Sequence, residues 1–252
     1  MSIPKVIHYC WFGGNPLPKS AEKCIKSWQK YCPDYEIKRW DESNFDVNCN
    51  AYCKFCYENK KWAFLTDYIR LKVVYDNGGV YLDTDVELLK NLDKLVQSGA
   101  YMGFEDEKAI ATGLGFAGEK GNAFIGENMR YYEELTNFSE LRSCPKITTE
   151  LLIPYGLTEN TGKVQTVAGM NIYPPEYLCP KNERSGLTEK TKNTYSIHHF
   201  DASWFEKSWK ENQLKRWRRE KIRYIVHLPN KILMKILGDK AYTKLKALLK
   251  RG

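Results

Sequence analysis

No stretch of this chain approaches the ~18–20 consecutive apolar residues that a helix needs to cross a bilayer. Met1-Ser2 runs directly into the polar-flanked segment Lys5–Trp11, so no secretory leader is expected. These two absences predict a cytoplasmic protein. Histidine is scarce, with four residues in 252, so any imidazole chemistry must come from a few named positions. The chain has no internal repeat and no low-complexity tract, which argues against a solenoid or a linker. Its eight cysteines, in a chain this long without a leader, predict free buried thiols over a disulfide framework.

What is present suits a packed globule. Hydrophobic residues make up 42% and aromatics 13%, too much for a disordered chain and enough for one α/β domain with a sizeable core. Charge is divided unevenly. Residues 205–252 hold 15 Lys/Arg against 4 Asp/Glu, a net of +11, while the whole chain is +8, so residues 1–204 carry −3. An acidic body with a basic tail does not read as a nucleic-acid-binding core.

The order of elements can be read along the body. Lys5–Trp11 predicts a buried first strand and Gly13-Gly14-Asn15-Pro16 a loop. Ser20 is placed to cap a helix running to about Tyr31 with Ile25 and Trp28 inward, and Tyr35–Trp40 reads as a second strand. A helix from Trp62 to about Asp76, ended by Gly78-Gly79, leads into a strand finishing at Asp83-Thr84-Asp85. Further on, Tyr101–Phe104 reads as a strand, the glycine-dotted ATGLGFAGEKGNAF precedes a helix to about Thr136, and Thr194–His199 is a last strand. This β-α-β-α-β order predicts a parallel sheet with crossover helices, whose ligands bind beyond the carboxyl ends of the strands.

One segment carries the chemistry, WAFLTDYIRLKVVYDNGGVYLDTDV at 62–86. Side chains alternate along a strand, so Asp83 and Asp85 are expected on one face, where two carboxylates can grip Mg²⁺ or Mn²⁺. On the preceding helix Asp67 and Arg70 are (i, i+3) neighbours, which brings an acid and a guanidinium towards the same strand end. A competing signal is Cys49-x₃-Cys53-x₂-Cys56, a spacing seen in iron–sulfur radical S-adenosylmethionine enzymes; the alternatives are a zinc site or small apolar side chains packed on a helix.

Three blocks, IPKVIHYCWFGG at 3–14, the 62–86 run and HHFDASW at 198–204, together resemble glycosyltransferase family 32, the group with the DXD sugar-binding motif. More distantly they are similar to the glucosylating domain of the large clostridial toxins. The resemblance implies a GT-A fold, α/β and Rossmann-like, over residues 1–204, a nucleotide-sugar donor, Mn²⁺ or Mg²⁺, and retention of anomeric configuration. It implies that Trp11 stacks on the base, that the amides of Phe12 and Gly13 approach base or ribose, and that Asp67 and Tyr81 line the nucleotide-sugar site. Arg70 is expected to contact the donor sugar or diphosphate, with Asp85 on the metal and Asp83 on the sugar and a metal-bound water. His198 or His199, with a lean to His199, supplies a further metal ligand, and Ser203 and Trp204 hold the β-phosphate. A UDP-sugar is the expected donor and a saccharide, free or lipid-linked, the acceptor. A non-catalytic sugar-nucleotide or membrane-binding module is the alternative from another class.

Residues 205–252 form a tail of two basic amphipathic stretches separated at Pro229. Leu214, Trp217, Tyr224, Ile225 and Leu228 sit among arginines and lysines in the first. Such helices favour an anionic membrane surface, which predicts a peripheral position on the inner face of the cell membrane and no nucleic-acid partner; the alternative is a tail packed on the domain with a solvated basic face.

Overall fold

The computed structural model describes residues 2–201 and 207–237, with the side chains of the last helix described over 210–225. In chain order the elements are β1 (Val6–Cys10), α1 (Lys19–Tyr31), β2 (Glu36–Trp40), α2 (Ala51–Glu58), α3 (Trp62–Asn77), β3 (Gly79–Tyr81) and β4 (Val86–Leu88). There follow α4 (Asp93–Gln97), β5 (Tyr101–Gly103), β6 (Phe116–Gly118), α5 (Ala123–Glu133), α6 (Cys144–Leu152), β7 (Gln165–Val167), β8 (Met170–Tyr173), α7 (Pro175–Leu178), β9 (Ser196–His198) and α8 (Lys207–Leu237). Two units can be distinguished. One holds both sheets; the other comprises α8 with Asn182–Leu187.

The main sheet has seven strands in the order β2-β1-β3-β6-β5-β8-β7. It is parallel-rich but not wholly parallel as expected. β2, β1 and β3 run together, β6 opposes both β3 and β5, β5 and β8 are parallel, and β7 opposes β8. The reversal at β6 comes from the glycine-dotted segment, which folds into a short turn at Thr112–Leu114 and a three-residue strand too brief to signal itself by periodicity. The architecture is the α/β class that the order of elements implied, with a mixed sheet.

Helix α3 is the central support. Leu65, Ile69 and Val73 are buried as their spacing predicts, but so are Asp67 and Arg70, because α3 packs against α2 and α5 as well as the sheet. Burying one such aliphatic side chain is worth about 1.5–3 kcal/mol. The helix ends where the Gly78 N–H bonds Val74 O at 2.7 Å with Gly78 at φ 71°, a backbone that a side chain would strain. Helix α1 starts at Lys19 directly after Pro18, with no side-chain cap, so Ser20 lies within the first turn. Fully buried Trp28 donates from Nε1 to Val86 O at 2.7 Å and thereby anchors β4. Helix α8 runs unbroken past Pro229, where the sequence suggested a division.

A second, two-stranded sheet pairs β4 with β9 antiparallel, Val86 opposite His198, Glu87 opposite Ile197 and Leu88 opposite Ser196. This pairing carries a late segment of the chain to the end of β3.

Candidate active site

Strands β1 and β3 are adjacent and parallel, so their carboxyl ends open onto one edge of the sheet. Trp11, Phe12 and Gly13 leave that edge from β1, and Leu82 to Asp85 leave it from β3, tied to β1 by Leu82 N–H to His8 O at 3.0 Å. Asp83-Thr84-Asp85 is a tight turn and not the strand end that alternation suggested: the Val86 N–H bonds Asp83 O at 3.0 Å. The turn also directs residues two apart to one side, so the acids converge for a different reason.

His198 completes the group. Its Nε2 lies 3.2 Å from Asp85 Oδ1, and ligand atoms of Asp83, Asp85 and His198 all fall within 4.8 Å of one another. The Asp85 carboxylate is held further by the Asp201 N–H on Oδ2 at 2.9 Å, while its own carbonyl accepts from the His199 N–H at 3.0 Å. Burial alone raises a carboxyl pKa, but the His198 charge and hydrogen bonds prevail and hold Asp85 down at about 2. Burial likewise opposes protonated His198, yet Asp85 raises its pKa well above the ordinary value. Asp83 is raised by burial and by Asp85, against the pull of Arg70. Two acids and an imidazole within this span match the oxygen-and-nitrogen ligand set that Mg²⁺ or Mn²⁺ accepts. The His198 ring also interacts with the buried Cys179, which raises its pKa further.

The metal-ligand expectation leaned to His199, but the group that converges holds His198; His199 lies one residue past β9, where its Nε2 meets Glu87 Oε2 at 2.8 Å.

Arg70 backs the acids. Its Nη2 lies 3.2 Å from Asp83 Oδ1 and 3.3 Å from Asp67 Oδ1, and its Nε donates to Thr66 O at 3.0 Å. Tyr81 donates its hydroxyl to Asp83 Oδ1 at 2.9 Å, with the guanidinium carbon 5.2 Å from the tyrosine ring centre. Asp67, Arg70 and Tyr81 are all buried, so in this structure they hold Asp83 and one another and are not presented to solvent. Burial pushes Asp67 up to about 6, opposed by Arg70.

At the β1 end, Trp11 is half-buried, with Nε1 donating to Asn15 O at 2.6 Å. Phe12 is buried edge-on against Phe45 at 6.3 Å, and the Gly13 N–H already serves Glu42 Oε1 at 2.6 Å. Ser203 and Trp204 lie outside the described residues.

Sequence reasoning passed over Gly113 and Asp201. A Cβ on Gly113 would stand 2.5 Å from Asp83 Oδ2 and 3.2 Å from Arg70 Nη1, so only glycine fits there. Gly113 lies in the glycine-dotted segment and Asp201 in the HHFDASW block, but neither feature identified its partner. The cysteine alternative fails. Cys53 and Cys56 are fully buried in α2, Cys49 is exposed, and among the described residues these thiols form no group able to hold a metal.

Residues 18–101 match the family model described as "Glycosyltransferase sugar-binding region containing DXD motif". Over 134 residues the chain is 31% identical to inositol phosphoceramide mannosyltransferase 3 of Schizosaccharomyces pombe, covering 51% of this chain and 37% of that protein. The chain therefore spans little more than a third of that relative. Over 217 residues it is 22% identical to uncharacterized glycosyltransferase L373 of Acanthamoeba polyphaga mimivirus, covering 80% and 84%. Among solved structures, "PaToxG Glycosyltransferase" aligns at TM-score 0.48 and 21% identity, covering 60% of this chain and 69% of that one. A glycosyltransferase "involved in the glycosylation of the major capsid of PBCV-1" aligns at TM-score 0.48 and 14% identity, covering 87% and 100%. Among the described residues, no helix is long and apolar enough to cross a membrane.

Proposed function

We propose that this chain, whose residues 18–101 match a glycosyltransferase sugar-binding region containing the DXD motif, moves a hexose from a nucleotide-sugar to a saccharide acceptor in a divalent-metal-dependent reaction. The observation that carries this reading is the convergence of Asp83, Asp85 and His198 over the buried Arg70. In it, Asp85 and His198 contact Mn²⁺ or Mg²⁺, and Asp83 contributes directly or through a bound water. When present, the ion neutralises negative charge as the diphosphate leaves, a kind of stabilisation worth ~3 kcal/mol or more per well-placed partner.

The protein's own groups prepare that event. Arg70 and Tyr81 fix Asp83 Oδ1, and the Asp201 amide fixes Asp85 Oδ2, so the carboxylates need little reorganisation. Arg70 acts in this reading through Asp67 and Asp83 and not by touching the diphosphate, because its buried Nη2 is shared by both carboxylates and its Nη1 faces Thr112 and Cys144. Trp11 offers an aromatic face to the base. Ser203 and Trp204, close after the His198 strand, are assigned to the β-phosphate. Retention of configuration follows the family resemblance and has a diphosphate oxygen accept the proton of the attacking hydroxyl. A UDP-sugar as donor and a lipid-linked saccharide as acceptor complete the proposal.

The test is release of nucleoside diphosphate from a panel of nucleotide-sugars, with Mn²⁺, with Mg²⁺ and with a chelator. Turnover of one donor that chelation abolishes is expected. Turnover indifferent to chelation, or none with any donor, overturns the reading.

A further inference from the structure

The second unit carries apolar side chains that its own packing leaves unused. On α8, Gln213 is buried, Trp217 and Tyr224 are half-buried, and Trp217 donates from Nε1 to Glu183 O at 2.8 Å while its ring lies against Gly186. Through Trp217 α8 packs on Asn182–Leu187, and Gln213 and Tyr224 lie on the same side of the helix. The sequence grouped Trp217 and Tyr224 with Leu214 and Ile225 as one apolar set; the structure divides that set. Leu214, Ile222 and Ile225 are 52%, 63% and 57% exposed. With Arg218 they follow i, i+4, i+8, i+11, which at 3.6 residues per turn is a single stripe turned about 100–180° around the helix from Gln213.

Cations flank that stripe. Residues 210–225 contain seven Lys/Arg and two Glu. Lys215, Arg216, Arg219 and Arg223, with Asn212 and Glu220, line a concave surface of about 420 Å³ along the helix. Two pairings occur in this region: Arg216 donates to Glu183 O at 3.2 Å, and Arg223 Nη1 lies 3.0 Å from Glu220 Oε1. A nucleic acid would use the cations but leave three large aliphatic side chains in water. A bilayer of anionic lipids uses both, since the apolar stripe sinks to the acyl boundary while arginine and lysine reach the headgroups. Each basic residue near such a surface adds roughly 1 kcal/mol.

We infer that the Leu214–Ile222–Ile225 face of α8, with its flanking cations, is a docking surface for an anionic membrane. This deepens the function proposed above by naming where a lipid-linked acceptor is met, and rests on that reading only for the acceptor.

The test is flotation of the full chain with vesicles of phosphatidylcholine alone and of phosphatidylcholine with phosphatidylglycerol. Alongside it run the charge-neutral triple variant Leu214→Asn, Ile222→Asn, Ile225→Asn and the charge variant Lys215→Glu, Arg219→Glu, Arg223→Glu. The wild type should float only with anionic vesicles, and each variant should lose roughly tenfold or more of its bound fraction. Circular dichroism should show helix retained, because all six positions are on the surface of one long helix. Nucleotide-sugar hydrolysis measured without vesicles should be unchanged in both variants, so a failure of docking is distinguishable from a failure of the transferase reading. Wild type that stays unbound, an Asn variant that floats like wild type, or flotation replaced by binding to nucleic acid overturns the inference.

Discussion

His198 Nε2 stands 3.2 Å from Asp85 Oδ1 only because β9 pairs with β4 in the register that sets His198 against Val86. The adjacent imidazole, on His199, is spent on Glu87. The two histidines should therefore behave differently. Replacing His198 by Ala should weaken Mn²⁺ binding, read by calorimetry, by about tenfold or more. Replacing His199 by Ala should leave it within about twofold. Equal effects of the two substitutions would contradict this division of roles.

Gly113 tests how tightly the acids are held. An added methyl would stand 2.5 Å from Asp83 Oδ2, and both Asp83 and Arg70 are fixed by other partners. Gly113→Ala should cost about 1–3 kcal/mol of stability through overpacking. It should also lower turnover disproportionately, since the atom displaced first belongs to the cation site. The comparison is urea unfolding against donor hydrolysis; a stable variant with normal turnover would show that Asp83 need not be so fixed.

Arg70 separates charge from geometry. Arg70→Met leaves Asp67 and Asp83 buried without their shared counter-charge, which should cost about 3–5 kcal/mol in urea unfolding. Arg70→Lys keeps the charge but cannot span both carboxylates and Thr66 as a planar fork. It should retain more stability than the Met variant while losing most turnover. If Lys restores activity fully, the fork is not what matters.

How much of this was legible can be judged from particular residues. Val6–Cys10, the α3 stripe and the Gly78 stop declared themselves because local apolar spacing and a left-handed turn are properties of short segments. Asp83 and Asp85 were found by spacing, although the backbone there is a turn, because both geometries direct residues two apart to the same side. His198 could not be separated from His199, since the choice depends on the register between strands distant in sequence. Gly113 and the opposing direction of β6 escaped for the same reason, as each is fixed by a contact with the β3 end that no local pattern encodes. The division of α8 into a packed and an exposed apolar face likewise needed the Glu183–Trp217 contact.

His8 gives a pH dependence away from the site. Its Nδ1 accepts from Trp40 Nε1 at 3.1 Å and its Nε2 lies 2.8 Å from Gly78 O, an arrangement that the neutral Nε2–H form satisfies at both ends. Burial lowers its pKa from 6.5, with the Gly78 bond acting the other way. As pH falls below 6.5 the unfolded chain takes up a proton that folded His8 refuses, so stability declines until the folded value is also passed. Asp67, raised to about 6, has the opposite sign, its stabilisation increasing as pH falls. The difference between wild type and His8→Gln isolates the first effect. The wild type should lose more urea stability than the variant between neutral pH and about pH 5.

Titrating Mn²⁺ into wild type and Asp85→Ala, each with and without uridine diphosphate, tests most directly whether the Asp83–Asp85–His198 group holds a cation for the donor. The wild type should show one Mn²⁺ site that the nucleotide tightens, and the variant, with unchanged circular dichroism, should show neither the site nor the tightening. A variant that binds Mn²⁺ and nucleotide as well as the wild type does would contradict the account.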